Sequence, residues 1–282
     1  MRNYFTVLTI AGSDSSGGAG IQADIKTMSA IGCYGMSAIT SLTAQNTTGV
    51  RSIMPVDAKF MADQIDMVME DIPPLAIKTG MLCNAEIAGV VADKMEQYRP
   101  AHLVIDPVMV STSGSLLLEQ DAVDVLTGRL FPLAEIITPN QHEARVLTGA
   151  DNSDEQARIL MDMGAKNVLI KGGDTDRTDM KIDFLYCGNN RLALPADAVD
   201  TVNTHGTGCT LSSAIASYLA LGCDLVTAVK RAKLYITRAL EAGSFVTVGK
   251  GHGPVDHFFS PRRLKNYNPA RENQTLKHGN QD

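Results

Sequence analysis

Short apolar runs alternate with amphipathic helical stretches along almost the whole chain, and this alternation narrows the possible folds more than any other feature. The runs at 6–10, 37–42, 75–78, 103–106, 135–138 and 168–171 lead into Gly, Pro or Asn, the chemistry of strand ends. Near-continuous apolar strands suit a parallel sheet covered by helices on both faces. Between the runs, Met61, Ile65, Val68 and Met69, and again Ile87, Val91 and Met95, recur at helical spacing. Asp57 and Asn84 stand where N-caps belong, and Ser153 with Gln156 has capping-box spacing ahead of Ile159. Around Gly188-Asn189-Asn190 the pattern changes to two short runs over 183–194, which predicts a β-hairpin at one edge of the sheet. The expected fold is α/β: a three-layer αβα arrangement with a central, mostly parallel sheet and an edge hairpin.

With 282 residues, 44% of them hydrophobic, the chain can bury one large core, and no linker or internal repeat divides it. One domain is expected over 1–260. From 261 the sequence turns polar and basic, with Pro261 and Pro269, so 261–282 is expected to pack loosely or extend as a tail. The net charge of −6, without a basic block, gives no electrostatic footprint for nucleic acid or an anionic membrane, so any phosphate site must be local. No segment approaches the length of a membrane span, and no apolar leader is evident. Five cysteines without CxxC spacing argue against a disulfide framework or a structural zinc site, and point to a reducing, cytoplasmic setting.

Two glycine-bearing loops carry the chemistry. The stretch Asn203-Thr204-His205-Gly206-Thr207-Gly208-Cys209 runs into a helix with Leu211, Ile215, Tyr218 and Leu219 on one face. Glycines let backbone approach a phosphate, and a helix N-terminus offers free N–H groups and partial positive charge. Cys209 at that terminus is expected to ionise more easily than a free thiol, as a base or nucleophile; the bland alternative is a turn with a small buried cysteine. The second loop, Ala11-Gly12-Ser13-Asp14-Ser15-Ser16-Gly17-Gly18-Ala19-Gly20, precedes a helix that turns Ile21, Ile25 and Met28 inward. It is neither a P-loop, since Gly18 and Ala19 replace the Lys and Ser/Thr, nor a dinucleotide fingerprint.

Other polar groups fall just past predicted strand ends, where ligands bind in open α/β sheets. Asp106 precedes Pro107, Asn140 and Glu143 open a helix, and Lys171-Gly172-Gly173 closes a strand. An acidic pair and a lysine there suit a magnesium nucleotide. Asn140-x-x-Glu143 is also capping-box spacing, and a lysine such as Lys171, taken alone, is more often a solvated strand end. Of the six histidines only His205 lies in a motif; the others lack metal-ligand spacing.

Together these segments resemble the ribokinase-like small-molecule kinases, and within them the hydroxymethylpyrimidine/phosphomethylpyrimidine kinases of thiamin synthesis. The resemblance spans 6–259 and rests on Thr9-Ile10-Ala11-Gly12-Ser13-Asp14, Gly17-Gly18-Ala19-Gly20-Ile21-Gln22-Ala23-Asp24, Ala44-Gln45-Asn46-Thr47, Lys78-Thr79-Gly80-Met81-Leu82, Asp106-Pro107-Val108-Met109-Val110, Thr138-Pro139-Asn140, Lys171-Gly172-Gly173, the Gly206 loop and Val248-Gly249-Lys250-Gly251. It implies an ATP- and Mg²⁺-dependent kinase of 4-amino-5-hydroxymethyl-2-methylpyrimidine and its monophosphate, active as a homodimer. Gly12, Asp24, Gln45, Met81 and Val108 would line the pyrimidine pocket. Gly206, Thr207, Gly208, Cys209 and Lys171 would act on the transferring phosphoryl group. Asn140, Lys171, Thr204 and His205 would hold the nucleotide, and Asp106 and Glu143 the metal. The loop 111–115 would act as a lid.

Many ribokinase-like enzymes carry Asp where this chain has Cys209, and often open the same loop with Asp where it has Asn203. The vitamin-kinase branch resembles this chain in using Cys. Pyridoxal kinase of vitamin B6 salvage is the nearest alternative, but some of its members carry a second Cys in the lid loop, which here reads Ser111-Thr112-Ser113-Gly114-Ser115. A non-catalytic metabolite-binding protein on the same fold is the alternative of a different class.

Overall fold

A computed structural model describes residues 2–109, 120–172 and 179–269. In chain order its elements are β1 (Asn3–Tyr4), β2 (Thr6–Asp14), α1 (Gly20–Ile31), β3 (Tyr34–Asn46), β4 (Gly49–Pro55), α2 (Ala58–Asp71), β5 (Ala76–Thr79), α3 (Ala85–Tyr98), β6 (Leu103–Ile105) and α4 (Gln120–Val125). There follow β7 (Ile136–Ile137), α5 (Gln141–Thr148), α6 (Ser153–Asp162), β8 (Asn167–Ile170), β9 (Met180–Cys187), β10 (Asn190–Asp197), α7 (Thr207–Ala220), α8 (Leu225–Gly243) and β11 (Asn266–Tyr267). Nine strands form one sheet in the order β10-β9-β8-β7-β6-β5-β2-β3-β4. Pairing is parallel from β3 through β8 and antiparallel at both edges.

Successive strand residues point to opposite faces, so each short apolar run feeds two cores. Leu8, Ile77, Ile105, Ile137 and Ile170 pack with Met61, Ile65, Ile87, Val91 and Met95 of α2 and α3 on one face. Val7, Ala76, Val104, Ile136 and Leu169 pack with Met28, Leu211, Ile215 and Ile236 of α1, α7 and α8 on the other. The result is the expected three layers. α7 is apolar on more than one face: every residue from Thr210 to Ala220 is buried, because the helix lies between the sheet and its neighbouring helices.

Several boundaries depart from the sequence reading. β2 continues through Gly12 to Asp14 across a register shift, and β3 extends to Asn46 because β4 pairs with it antiparallel, a strand the periodicity did not predict. Asp57 and Asn84 cap α2 and α3, accepting from the N–H groups of Phe60 and Ile87. The cap of α6 is Asn152, which accepts from Glu155 N–H; Ser153 and Gln156 sit buried in its first turn instead. The hairpin forms with Gly188-Asn189 as its loop and Gly188 left-handed at φ 55°. The start of the 261–282 segment is fastened down, since Arg262 and Lys265 N–H donate to Ala30 and Gly32 and β11 pairs with β1. Residues 270–282 and the lid at 111–115 lie outside the described residues, as does Gly173.

β2 has β3 on one side and β5 on the other, so the connections diverge there. In open α/β sheets the crevice beyond the strand ends at such a reversal is the usual ligand site. The carboxyl ends of β2, β5, β6, β7 and β8 carry Asp14, Met81, Asp106, Asn140 and Lys171 to that one rim.

Candidate active site

A cavity of about 630 Å³ opens along this rim, and it collects Gly12, Gln45, Met81, Val108, Asp106, Asn140, Glu143, Lys171 and the whole stretch from Thr204 to Cys209. Of the residues singled out from sequence, Asp24 alone is missing from the lining. Its carboxylate is wholly buried below, accepting from Thr9 Oγ1 at 2.6 Å and Ser213 Oγ at 2.6 Å and paired with Lys78 Nζ at 2.9 Å. A charged side chain on the inward face of α1 must be neutralised inside the core, and that need holds it away from the cavity.

The phosphate loop is held rigidly. Gly206 is the N-cap of α7 in the left-handed region at φ 79°, and a Cβ there would strike the Gly18 carbonyl oxygen. Asn203 Nδ2 donates to the carbonyls of Gly243 at 2.8 Å and Val246 at 2.6 Å, a bridging role that needs an amide and that Asp could not fill. Thr207 N–H turns back onto Thr204 O at 3.2 Å, so among the described residues the N–H groups of Gly206, Gly208 and Cys209 keep no backbone acceptor. Thr207, which the resemblance sets on the phosphoryl group with Gly206 and Gly208, therefore has its N–H taken up by the loop's own turn.

A Cβ built on Gly208 would lie 3.3 Å from Lys171 Nζ and 3.5 Å from Asp106 Oδ2, so loop, lysine and carboxylate converge. Lys171 Nζ pairs with Asp106 Oδ1 at 2.8 Å, and Thr138 and Ser212 hydroxyls donate to the same carboxylate at 3.2 Å. Burial opposes ionisation of Asp106, but Lys171 and Lys78 outweigh it and hold the carboxyl below the usual range. Glu143 completes the capping box with Asn140, each side chain bonding the other's backbone N–H at 2.8 Å, and still faces the cavity. Burial and the Asp106 charge, working against Lys171, push its carboxyl up to about 7. The two carboxylates are near enough to repel. A divalent cation relieves that repulsion, and Mg²⁺ asks for only one or two protein carboxylates beside substrate phosphates. No cluster of three ligand side chains occurs among the described residues.

Cys209 differs from expectation. Burial pushes its thiol up to about 11, with Asp24 and Asp106 adding to the rise, while Lys78 and the Gly20 N–H pull it back. A helix terminus favours the ionised thiol, but for Cys209, half-buried at the cavity wall, desolvation is the larger effect.

His205, expected beside the nucleotide, has its ring committed elsewhere: Nε2 lies 2.7 Å from Asp14 Oδ2 and 3.4 Å from Gln45 Nε2. Sequence reasoning gave no role to Asp14, Lys78, Lys181, Asp183 or Lys233. Asp183 accepts from Gly172 N–H at 2.8 Å and pairs with Lys233 at 2.7 Å, and with Ile236, Thr237 and Leu240 it shapes the far end of the cavity. Asp14 and Lys78 lay in quoted motifs and were visible; Asp183 and Lys233 are charges on ordinary amphipathic elements, without a local signal.

A family model described as phosphomethylpyrimidine kinase matches residues 14–256. A hydroxymethylpyrimidine/phosphomethylpyrimidine kinase of Rhizobium meliloti is 47% identical over 257 residues, covering 89% of this chain and 96% of that protein. The thiamine biosynthesis bifunctional protein ThiED of Geobacter sulfurreducens is 49% identical over 265 residues, 92% of this chain but 54% of that longer protein. Among solved structures, a phosphomethylpyrimidine kinase of Clostridium difficile matches with TM-score 0.73 and 46% identity over 83% of this chain and 99% of that one. A pyridoxal kinase of Bacillus subtilis in complex with ADP matches with TM-score 0.83 and 36% identity over 90% and 98%.

Proposed function

The chain belongs to the phosphomethylpyrimidine kinase family, and we propose that its cavity transfers the γ-phosphoryl group of ATP to the hydroxymethyl of 4-amino-5-hydroxymethyl-2-methylpyrimidine and then to the resulting monophosphate. It is an ATP-dependent kinase of the ribokinase-like fold. The observation that carries the site reading is the convergence of Gly208, Lys171 and Asp106 next to Cys209, with Gln45, Met81 and Val108 in the same cavity.

In this reading the acceptor pyrimidine sits among Gly12, Gln45, Met81 and Val108. Gln45 offers both a donor and an acceptor to a ring nitrogen beside an amine. In the small ionised fraction that burial leaves it, the Cys209 sulfur takes the hydroxyl proton as the acceptor oxygen bonds to the γ-phosphorus, and ADP departs with the electron pair of the broken P–O bond. Free N–H groups of the loop and the Lys171 ammonium stabilise charge on the phosphoryl oxygens. Asn140, Thr204 and Lys171 position the nucleotide. Asp106 and Glu143 would hold Mg²⁺, which supplies charge neutralisation between the phosphates when bound.

Pyridoxal kinase is kept as a second reading for one observation: the pyridoxal kinase of Bacillus subtilis superposes with the higher TM-score, 0.83 against 0.73. The higher identity, 46% against 36%, favours the pyrimidine. Comparing the hydroxymethylpyrimidine, its phosphate and pyridoxal as acceptors decides between them, because a preference for pyridoxal would overturn the first reading.

We also assign the enzyme to the cytoplasm and to a homodimer. No helix among the described residues is long and apolar enough to cross a membrane. Exposed Leu42 and Met54, paired across β3 and β4, offer an apolar edge for self-association.

A further inference from the structure

Beneath the cavity floor lies a lysine whose side chain is fully buried, and Asp24 is its ion-pair partner there. Lys78 Nζ lies 3.0 and 2.9 Å from the two Asp24 oxygens. A lysine ammonium has three donors, so these contacts leave one over. Helical spacing fixes where the pair sits. Gly20 and Asp24 are one turn apart on α1, as are Cys209 and Ser213 on α7. Ser213 Oγ donates to Asp24 at 2.6 Å. That contact sets the Asp24–Lys78 pair beside Ser213, one turn along α7 from Cys209, and Lys78 and Cys209 both line the cavity. A buried ion pair is poor evidence of a purely stabilising role, since a well-packed apolar replacement is often as stable.

Resting on the reading of Cys209 as proton acceptor, we propose that Lys78 is a positioning residue for phosphoryl transfer: its ammonium, anchored by Asp24, supplies the fixed positive charge that favours the ionised Cys209 sulfur. Lys78 itself takes no proton. Burial alone would favour its neutral amine, but Asp24, Cys209 and Asp106 hold it above the ordinary lysine range. The hydroxyl proton therefore ends on sulfur, and the lysine stays charged throughout. This explains why a residue so well buried belongs to the cavity wall, and why Asp24 faces inward.

The test reads thiol ionisation without requiring turnover. Iodoacetamide alkylation of the nucleotide-free full chain is followed against pH by mass spectrometry of the Cys209 peptide. Lys78→Met should raise the midpoint by about one unit or more, slowing alkylation at a fixed pH below it about tenfold. Lys78→Arg, which keeps the charge, should leave the midpoint near the parent value. Because Lys78→Met strands Asp24, the double variant Lys78→Met/Asp24→Asn removes both charges; the lysine being the stronger influence on the thiol, its midpoint should still rise. An unchanged or lowered midpoint in the variants that fold overturns the proposal. If Cys209→Ala keeps full turnover while Lys78→Met still raises the midpoint, the base assignment fails and the electrostatic link between Lys78 and Cys209 stands.

Discussion

The Asp14 carboxylate and the His205 ring meet at 2.7 Å, joining the loop that ends β2 to the loop that opens α7. Asp14 also accepts from the N–H groups of Ser16 at 2.8 Å, Gly18 at 3.1 Å and Ala19 at 2.8 Å, so one side chain shapes the acceptor loop and ties it to the phosphate loop. Burial opposes its ionisation, but His205, Ser16 and Ala19 outweigh it and hold the carboxyl down to about 2. A depressed carboxyl contributes stability that is complete above its unfolded value, about 3.9, and is lost as pH falls through the folded one. Urea unfolding should show that loss confined to this acid window, and His205→Ala, by raising the folded value towards the unfolded one, should make the loss smaller. An acid profile identical to the parent would remove the pair from the stability account.

Gln45 should read the pyrimidine. His205 Nε2–H already donates to Asp14, so its 3.4 Å approach to Gln45 Nε2 is no hydrogen bond, and the carboxamide hydrogens remain for a ligand. Gln45→Ala should weaken pyrimidine binding by about 1–3 kcal/mol, the scale for a polar group left unpaired. Calorimetric titration with the pyrimidine checks this; unchanged affinity would remove Gln45 from the pocket.

Glu143 should couple nucleotide binding to pH. With its carboxyl pushed up to about 7, it is largely protonated below that pH in the free protein. If Mg²⁺ binds there, the proton must leave, so affinity for the magnesium nucleotide should rise as pH climbs through about 7. Glu143→Gln keeps an amide oxygen for the Asn140 cap and should lose that pH dependence. Asp106→Asn should sharply reduce activity at limiting Mg²⁺. Calorimetry in buffers of different ionisation enthalpy counts the proton, and no release from the parent would contradict the metal assignment.

Asn203→Asp should destabilise the chain. The substitution removes the donors to Gly243 O and Val246 O and turns a carboxylate towards carbonyl oxygens, which should cost about 1–3 kcal/mol. A melting temperature equal to the parent's would show that the bridge contributes nothing.

The sheet was legible because its strands are apolar on both faces, and the caps Asp57, Asn84 and Asn140 because capping is local. Almost every proposed site residue fell at one rim for the same reason: strand ends are marked in sequence, and a parallel sheet gathers them. Three things were not legible. β4 lacks strong periodicity and exists through its pairing with β3. Asp24 is a pocket residue only by what the resemblance implies, and the direction of a side chain on α1 is decided by packing against Lys78 and Ser213. The rise of the Cys209 thiol depends on desolvation, which spacing along the chain does not record.

The central claim is that Cys209 takes the acceptor's proton, and turnover of Cys209→Ala with saturating ATP and hydroxymethylpyrimidine tests it most directly. General-base catalysis is worth about 10²–10⁴-fold, so kcat should fall by that order while ATP affinity changes little. Cys209→Asp should recover part of the loss, and Cys209→Ser should not. Near-parental turnover in Cys209→Ala would contradict the account and leave the loop acting through its backbone N–H groups.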